Sequence, residues 1–340
     1  MNILFGAPPY SSLHGPGGVM IQLLKTKEFL EKIGHKVDFF NQWEPLDVNK
    51  YDIFHLFYSN LSTSDLVLRI KEMGLKVVIS PIIDKSYSNL SIKIANSLLR
   101  LCPRIYTHLG SSAFQCKISD SVIVRSDDEF DKVVNAFGIP RAKIGVVPCG
   151  VDMKYYKATP DLFRKKYGFY DFVLAVGLIG NPVKNFIRLV HIMGKIGKET
   201  VFIGPTHKTT YASEFYRIAS KYKNIRILGI ISEDELISAY AAANTLVLPS
   251  TVEGVGLVAL EAGLAGAKVV ITKNGGPPSY FDDLVEYVDP YNEEDIEKKI
   301  LRSLSRSKDD RLRLHIKESY SWEVVAKKQA EIYLKVLNET

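Results

Sequence analysis

Cysteine is scarce in this sequence, and its spacing is irregular. The 340 residues include three cysteines, Cys102, Cys116 and Cys149, which are far apart and lack the close spacing of a zinc or redox motif. We therefore predict plain thiols and no disulfide framework. Runs of about 18 apolar residues, long enough to cross a bilayer, are also missing. No charged leader precedes the first strand-like residues, so we expect a cytoplasmic protein.

An excess of one charge sign is a further absence. The chain has 44 basic and 38 acidic residues, and its net charge of +6 is divided equally between the two sides of Gly150. This even distribution argues against a nucleic-acid-binding stripe, so we expect no nucleic-acid partner. A hydrophobic fraction of 46% is enough to bury a core in each of two domains.

Short aliphatic runs alternate with amphipathic segments along the chain. This alternation predicts parallel sheets with helices on both faces, and its two successive series predict two doubly wound α/β domains in tandem. The strands of the first series are predicted at Ile3–Phe5, Val37–Phe40, Ile53–Leu56, Val77–Ile79, Val122–Val124 and Ile144–Val147. Those of the second series are predicted in FVLAVG, TVFIGP, IRILG, TLVLPS, KVVIT and LVEYV.

The joint between the domains should lie between residues 147–152 and Asp171, in a polar stretch rich in tyrosine and lysine. In open α/β sheets, ligands bind beyond the carboxyl ends of the strands, so function should be sought in the loops that follow them. We divide the chain into an amino-terminal domain, a carboxyl-terminal domain and a terminal segment, which are residues 1–165, 166–318 and 319–340.

Two carboxylates, Glu253 and Glu261, interrupt the otherwise small and apolar stretch TVEGVGLVALEAGLAGAKVVIT. A helix predicted over Gly256–Ala267 would carry Glu261 with no polar face around it. A buried carboxylate without a partner is costly, so Glu261 should bind another residue or a ligand hydroxyl. It would lie about 7–8 Å from the helix start, with its side chain leaning towards that end.

Gly254 and Gly256 leave the backbone amides at this helix start uncovered, and such amides favour an anion, typically a phosphate. Glu253 would then lie beside the anion; the alternative is a first-turn carboxylate that satisfies helix amides. Together with Ala259 the glycines spell G-x-G-x-x-A. The loop is too long and no acidic residue ends the next strand, so we expect no nicotinamide or flavin cofactor.

Lys184 follows a predicted cap, Asn181, and a proline at the first helical position, which places its charge in the first turn of a helix. A cation there opposes the helix dipole, so an anionic ligand explains it better than solvent does. An ordinary surface lysine is the alternative. Gly17 and Gly18, before the first amphipathic helix, could offer further amides to a phosphate.

No residue is assigned to a metal ion. The neighbouring aspartates Asp127 and Asp128, and likewise Asp282 and Asp283, resemble metal ligands, but each pair begins a predicted helix, where negative charge is favourable. His55 ends a predicted strand, and we interpret it as a packed or capping side chain rather than as a catalytic group.

Together these segments resemble the retaining GT-B glycosyltransferases of the family-4 type, also called glycosyl transferases group 1. The most specific part is the E-x7-E pair in EGVGLVALE with the upstream segment IRILGIISEDELISAYAAANTLVLPS, and GPGGV, VVPCGVD, VGLIGNPVKN, NGG and SWEVVAKKQAEIYLKVL match in the same order. The resemblance covers residues 1–337. It implies two Rossmann-like domains facing across a cleft and a terminal helix, about Trp322–Leu337, that crosses back onto the first domain.

The resemblance also implies residue roles. Glu253 would contact hydroxyl groups of the donor sugar and, with Lys184, would be catalytic, whereas Glu261 would hold the ribose of the nucleotide. The groups that meet the diphosphate would be those of Gly17, Gly18, Lys184, Gly254, Val255 and Gly256. The family implies a UDP- or GDP-linked sugar as donor, a carbohydrate, lipid-linked or other hydroxyl acceptor, retained anomeric configuration, no cofactor and no metal.

The chain departs from the family at Leu178, where an arginine is expected, and at residues 81–84, where a histidine is common. His14 or Asp84 could substitute for that histidine. These differences keep two alternatives open, a nucleotide-sugar epimerase of similar fold and a non-catalytic partner subunit that binds a nucleotide sugar. The apolar, basic segment 89–104 could lie on the inner face of a membrane, although a helix packed on the sheet is the alternative.

Overall fold

Two parallel sheets organise the chain. The computed structural model describes residues 1–9, 18–83 and 107–339. Contacts divide the chain into one unit made of Met1–Gly150 and Trp322–Thr340, and a second unit made of Val151–Ser321. Each unit is built around one sheet, which confirms the prediction of two doubly wound α/β domains.

The sheet of the first unit has six parallel strands within the described residues, in the order β2-β1-β3-β4-β5-β6. Every predicted strand of the first series corresponds to one of them. The aliphatic runs form strands because they are covered on both faces, and all five residues of β3 are buried. The strands are β1 Asn2–Gly6, β2 Lys36–Phe39, β3 Ile53–Phe57, β4 Lys76–Ser80, β5 Ser121–Val124 and β6 Ile144–Val146.

The described part of the second unit contains another sheet of six parallel strands, in the order β12-β11-β10-β7-β8-β9. All six predicted strands of the second series are present. Their bounds are β7 Val173–Val176, β8 Thr200–Ile203, β9 Ile225–Gly229, β10 Thr245–Leu248, β11 Lys268–Thr272 and β12 Glu286–Val288.

Helices connect the strands of both sheets. Those within the described residues are α1 Gly18–Lys32, α2 Ser64–Glu72, α3 His108–Ile118, α4 Asp127–Lys132, α5 Asp161–Tyr167, α6 Phe186–Ile196, α7 Thr210–Ala219, α8 Glu233–Ala242, α9 Leu257–Leu264, α10 Pro278–Phe281, α11 Glu293–Ser305, α12 Arg311–Tyr320 and α13 Trp322–Asn338. Short 3-10 turns occur at Val48–Lys50, Leu61–Thr63, Arg141–Lys143 and Pro182–Lys184, and a π turn at Val133–Phe137.

The terminal helix α13 belongs to the first unit. Trp322 and Tyr333 are buried in the same apolar cluster as Phe5 of the sheet. The ring of Trp322 also stacks on Phe29 of α1 at a centroid distance of 6.3 Å. A Cβ at Gly150 would lie 2.3 Å from the Trp322 ring, so this position requires glycine. The expected return of the last helix to the first domain is confirmed.

The linker, which the sequence analysis assigns to the first domain, groups with the second unit from Val151 onwards. The reason is that its helix α5 packs on α8, where the Phe163 amide donates to Oγ of Ser238 at 3.0 Å. The second junction falls after Ser321 rather than after residue 318. Val151 and Ser321 form an isolated parallel bridge that closes the unit.

Some expectations from the sequence concern membrane contact or residues outside the described ranges. Within the described ranges, no helix is long and apolar enough to cross a membrane. The segment 89–104, for which membrane contact or core packing was expected, lies outside the described residues. The same holds for His14, Gly17 and Asp84.

Candidate functional site

The second sheet reverses its strand order between β7 and β10. From β7 the chain proceeds outwards through β8 and β9, and from β10 it proceeds in the other direction through β11 and β12. β7 and β10 pair directly, with Thr245 opposite Val173 and Leu246 opposite Leu174. Loops that leave such a reversal diverge and open a crevice at the carboxyl edge of the sheet. The loops after β7, β10 and β11 carry most of the predicted site residues.

The loop after β7 contains the 3-10 turn Pro182–Lys184, followed by Asn185 in the left-handed conformation with φ 59°. Asn181 caps this turn as predicted, since its Oδ1 accepts from the Val183 amide at 3.0 Å. The long helix α6 begins only after Asn185. Lys184 therefore precedes that helix instead of lying in its first turn, and the expected conflict between its charge and a helix dipole does not arise.

Asn185 joins the loop after β7 to two others. Its Nδ2 donates to the carbonyl of Pro249, after β10, at 3.0 Å and to that of Pro290, after β12, at 2.8 Å. The amide of Thr251 donates to the carbonyl of Val183 at 2.8 Å. Asparagine tolerates the left-handed conformation better than most residues, so it can make this junction at little cost. The loops at the reversal are thus fixed to one another by hydrogen bonds of the chain itself.

Lys184 and Glu253 form an ion pair between the loops after β7 and β10. Nζ of Lys184 donates to Oε1 of Glu253 at 2.7 Å, and Oγ of Ser250 donates to the same oxygen at 2.6 Å. The Lys184 and Glu253 side chains are only 21% and 12% exposed, so solvent screens the pair weakly. Lys184 is therefore not an ordinary surface lysine, and the Glu253 carboxylate accepts from these side chains rather than from helix amides.

The backbone of Glu253 is held by the NGG loop after β11. Its amide donates to the carbonyl of Asn274 at 3.1 Å, and its carbonyl accepts from the amide of Gly276 at 3.0 Å. Gly275 has φ 97°, and a Cβ there would lie 2.0 Å from the Glu253 carbonyl oxygen. Among the described residues Oε2 of Glu253 has no hydrogen-bond donor. A fixed backbone therefore presents one free carboxylate oxygen.

The helix α9 starts without a side-chain cap. Its N-cap residue, Gly256, is left-handed with φ 84°, and a Cβ there would lie 2.8 Å from Cδ1 of Ile271. The helix ends at Leu264, earlier than the predicted Ala267, because Gly266 adopts φ 94° and turns the chain into β11. The uncapped first amides can serve an anion, as the sequence analysis expects.

Glu261 lies within α9 and keeps an intermediate exposure. The hydroxyl of Tyr240, in α8, donates to its Oε2 at 2.8 Å, and the hydroxyl of Tyr155 donates to the same carboxylate. Burial raises the pKa of Glu261 to about 7, although the two phenols and the nearby Lys154 act in the opposite direction. The partner that the sequence analysis requires for this carboxylate is thus a pair of tyrosines.

Sequence reasoning missed Ser250, Asn185 and the two tyrosines. Tyr240 carries a recognisable signal, because it is the one large residue in the run SAYAAAN and lies on a helix that precedes the site. Tyr155 carries none, since it stands in a loop among other tyrosines and lysines. Its contact with Glu261 depends on tertiary packing alone.

In the first unit, Gly18 is the first residue of α1 rather than a residue of the loop before it. His55 is fully buried, with Nδ1 at 2.6 Å from the Tyr333 hydroxyl and Nε2 at 2.9 Å from Oγ of Ser80. Burial lowers the pKa of His55 to about 3. The interpretation of His55 as a packed, hydrogen-bonded side chain is therefore confirmed.

The aspartate pairs have different outcomes. Asp127 and Asp128 lie in the first turn of α4, as predicted. Asp282 instead ends α10, with φ 45°, because Pro277 and Pro278 start that helix earlier and it lasts one turn. The prediction that Asp282 begins a helix is wrong. In the described part of the chain, no group of three or more His, Cys, Asp or Glu side chains could hold a metal ion.

Two parallel-sheet units, each with a reversed strand order, define the GT-B fold, and solved structures show the same fold. A glycosyltransferase from Rickettsia africae superposes with a TM-score of 0.77 over 100% of this chain and 99% of its own, at 18% identity. Anabaena HepE in complex with UDP superposes with a TM-score of 0.74 over 98% of this chain and 100% of its own, at 17% identity.

The sequence of the second unit is similar to a known family of glycosyltransferases. Residues 164–319 match the family model of glycosyl transferases group 1. An uncharacterized glycosyltransferase of Methanocaldococcus jannaschii is 28% identical over 63% of this chain and 60% of its own length. A GDP-mannose-dependent monoacylated alpha-(1-6)-phosphatidylinositol monomannoside mannosyltransferase of Corynebacterium glutamicum is 27% identical over 55% of each chain. The chain thus spans less than two thirds of these relatives.

Proposed function

We propose that this protein is a retaining glycosyltransferase that moves a hexosyl or related sugar from a nucleoside-diphosphate sugar to an acceptor hydroxyl without a metal ion. The observation that carries the proposal is the meeting of Lys184, Glu253 and the uncapped start of α9 on loops of one sheet reversal. A cation and free helix amides beside a carboxylate suit a diphosphate joined to a sugar.

Lys184 and the α9 amides would stabilise the leaving group. When the bond between the anomeric carbon and the phosphate oxygen breaks, negative charge develops on that oxygen, and donors already in place lower the barrier. Leu178 removes the arginine that the family resemblance implies, so this stabilisation depends more heavily on Lys184. The acceptor hydroxyl would attack the face from which the diphosphate departs, and its proton would leave with the departing phosphate.

The two glutamates would hold the other parts of the donor. Oε2 of Glu253 is free to accept from a sugar hydroxyl while Oε1 remains bonded to Lys184 and Ser250. Glu261 would accept from the ribose. A carboxylate is suited to both tasks, because its two oxygens accept several hydrogen bonds and neighbouring sugar hydroxyls donate them.

A UDP- or GDP-linked donor is supported by the known relatives. HepE is solved with UDP and with UDP-glucose, and the Corynebacterium relative is named as GDP-mannose-dependent. The acceptor named for that relative is a phosphatidylinositol monomannoside, which supports a carbohydrate or lipid-linked hydroxyl acceptor and a place in glycan or glycolipid synthesis.

The first test is nucleotide binding. UDP, GDP, ADP, CMP and dTDP are titrated by calorimetry into the parent and the Glu261→Ala variant in the presence of a chelator. We expect one nucleoside diphosphate to bind the parent in the micromolar range and to bind Glu261→Ala about tenfold more weakly or worse, a loss of about 1.4 kcal/mol. Glu214→Ala, at a half-exposed glutamate paired with Arg217, is the control and should bind as the parent does.

Either of two results would refute the nucleotide site: no nucleotide binds the parent, or Glu261→Ala binds as tightly as the parent. The reaction itself is tested by product analysis with the donor identified in this way. A glycosylated acceptor with the donor's anomeric configuration, seen by NMR, supports the proposal. An inverted product, a rearranged nucleotide sugar, or binding without turnover over a broad acceptor panel contradicts it.

A further inference from the structure

The loop after β2 carries the most exposed large hydrophobic side chain within the described residues. Trp43 is 84% exposed, whereas Trp322, the other tryptophan of the chain, is 4% exposed. Single exposed leucines and isoleucines are common on protein surfaces, but tryptophan is largely buried on average, because its indole offers a large apolar area. An indole held in water is therefore a candidate contact for a ligand.

The backbone around Trp43 is fixed by contacts of the first unit. Oδ1 of Asn41 accepts from the Trp43 amide at 3.1 Å, and the carbonyl of Asn41 accepts from the Glu44 amide at 3.4 Å, which closes a tight turn. On either side of this turn, Phe40 and Leu46 pack against the core of the first unit. A ligand would meet an indole on an ordered backbone, so binding would not have to order the loop.

The neighbours of Trp43 in the turn are polar. Asn41, Gln42 and Glu44 are all exposed. Their amide and carboxylate groups provide both hydrogen-bond donors and acceptors, as the binding of sugar hydroxyls requires. Residues 41–52 include three acidic side chains and one basic side chain. The surface around the indole is therefore hydrogen-bonding and negative rather than apolar.

These neighbours discriminate between classes of ligand. An anionic membrane or a nucleic acid would be repelled by the acidic side chains. A neutral bilayer, or the apolar centre of a protein interface, would bury the polar groups of Asn41, Gln42 and Glu44 without partners, which costs free energy. A pyranose ring has C–H groups on its face and hydroxyl groups around its rim. It can stack on the indole while its rim bonds to the polar side chains.

We propose that the turn around Trp43 is a binding site for a neutral glycan, in which the indole stacks on a pyranose ring and Gln42 and Glu44 bond to its hydroxyls. The choice of ligand class rests on the proposed function, because a transferase with a carbohydrate acceptor encounters glycan chains. The site follows β2, an edge strand of the first sheet. It is formed by the first unit alone, whereas Lys184 and Glu253 belong to the second unit.

The two tryptophans allow the indole to be observed directly. Trp322 is buried, so a soluble quencher such as iodide acts mainly on the emission of Trp43. The probes are dextran, galactomannan, laminarin, soluble starch and hydroxyethyl cellulose, which are neutral chains with different linkages. We expect one of them to shift the emission to shorter wavelength and to reduce iodide quenching about threefold, because a stacked ring excludes solvent from the indole.

Variants at position 43 separate stacking from apolar contact in general. Affinity electrophoresis in gels that contain the same glycans measures binding without fluorescence. We expect Trp43→Ala and Trp43→Leu to bind about tenfold more weakly than the parent and Trp43→Phe to keep part of the affinity, since leucine has no ring face. Tyr170→Ala, at an aromatic side chain of the second unit that is 66% exposed, is the control and should bind as the parent does.

The remaining outcomes contradict the inference. It is overturned if none of the glycans binds the parent, or if Trp43→Ala or Trp43→Leu binds as tightly as the parent. It is overturned equally if the indole is protected only by phosphatidylcholine vesicles or only by a higher protein concentration, which would identify a membrane or a second copy of this chain as the occupant.

Nucleotide binding keeps the two proposals distinguishable. Trp43→Ala should bind the nucleoside diphosphate as the parent does, because its indole belongs to the first unit and the proposed nucleotide contacts Lys184 and Glu261 to the second. A parent that binds a glycan but no nucleotide would contradict the proposed function and leave the glycan site standing. A parent that binds a nucleotide but no glycan would overturn the glycan site alone.

Discussion

Glu253 and Glu261 stand on the same loop and helix but in opposite electrostatic surroundings. Oε1 of Glu253 accepts one hydrogen bond from Nζ of Lys184 at 2.7 Å and another from Oγ of Ser250 at 2.6 Å. Glu261 lies in an apolar helix, and its carboxylate accepts hydrogen bonds from two tyrosine hydroxyls. The comparison teaches that the two carboxylates of one motif can be stabilised by different means, the first by a countercharge in direct contact and the second mainly by neutral donors.

This difference has an energetic consequence. A buried ion pair compensates much of the cost of desolvating both partners, whereas neutral hydrogen bonds compensate a buried carboxylate only in part. The pKa of Glu261, raised by burial to about 7, expresses that incomplete compensation. Glu261 therefore destabilises the folded chain at high pH.

Among the variants that test the contrast between Glu253 and Glu261, Lys184→Met should have the largest effect on affinity and stability, because it removes the countercharge of Glu253. We expect an affinity loss of about 100-fold for the nucleoside diphosphate and almost none for the nucleoside, because only the diphosphate meets the ammonium group. We also expect the free energy of unfolding to fall by about 3 kcal/mol, because the Glu253 carboxylate, whose side chain is only 12% exposed, is left without its cation. Calorimetric titration and urea unfolding measure the two losses.

Lys195→Met, at an exposed position of α6, is the control for the first variant and should change neither quantity. The double variant Lys184→Met/Glu253→Gln should recover much of the stability but none of the diphosphate affinity. Equal losses of diphosphate and nucleoside affinity in Lys184→Met would show that the lysine acts only through the structure of the loops.

The second effect concerns Glu261 and has a defined sign. The pKa of Glu261 is raised in the folded chain from the ordinary 4.5 to about 7, so the folded state holds its proton more tightly. Stability from this group is therefore full below about pH 4.5 and is lost as the pH rises to about 7. Glu261→Gln cannot ionise, and it should be more stable than the parent by about 2 kcal/mol at pH 8 and nearly equal to it at pH 5.

Urea unfolding at the two pH values measures this difference. The matched control is Glu286→Gln, at a buried glutamate that is paired with Lys299, Arg302 and Arg306. Because that variant breaks ion pairs, it should be less stable than the parent at pH 8. A Glu261→Gln variant that is destabilised at pH 8 as Glu286→Gln is would show that the Glu261 carboxylate contributes to stability after all.

The strands and the apolar helix that carries Glu261 could be predicted because they depend on local pattern, whereas the two tyrosine partners of its carboxylate could not. Aliphatic runs bury on both faces of a parallel sheet, and Glu261 stands out in the apolar α9. The partner of Lys184 could not be predicted, because Glu253 follows 69 positions later and meets it only through loop packing. The length of α9 was missed for a local reason, the left-handed turn at Gly266, which periodicity does not reveal.

The smallest effect tests how far Glu253 depends on neutral donors as Glu261 does. Ser250→Ala removes the hydroxyl at 2.6 Å from Oε1 but leaves Lys184 on the same oxygen at 2.7 Å. We expect a loss of about 1 kcal/mol in urea unfolding, the usual contribution of one hydrogen bond, and an unchanged nucleoside diphosphate affinity. Ser220→Ala, which removes an exposed hydroxyl bonded to the carbonyl of Arg217, is the control. If Ser250→Ala costs as much as Lys184→Met, the hydroxyl rather than the countercharge holds Glu253, and the contrast between the two glutamates disappears.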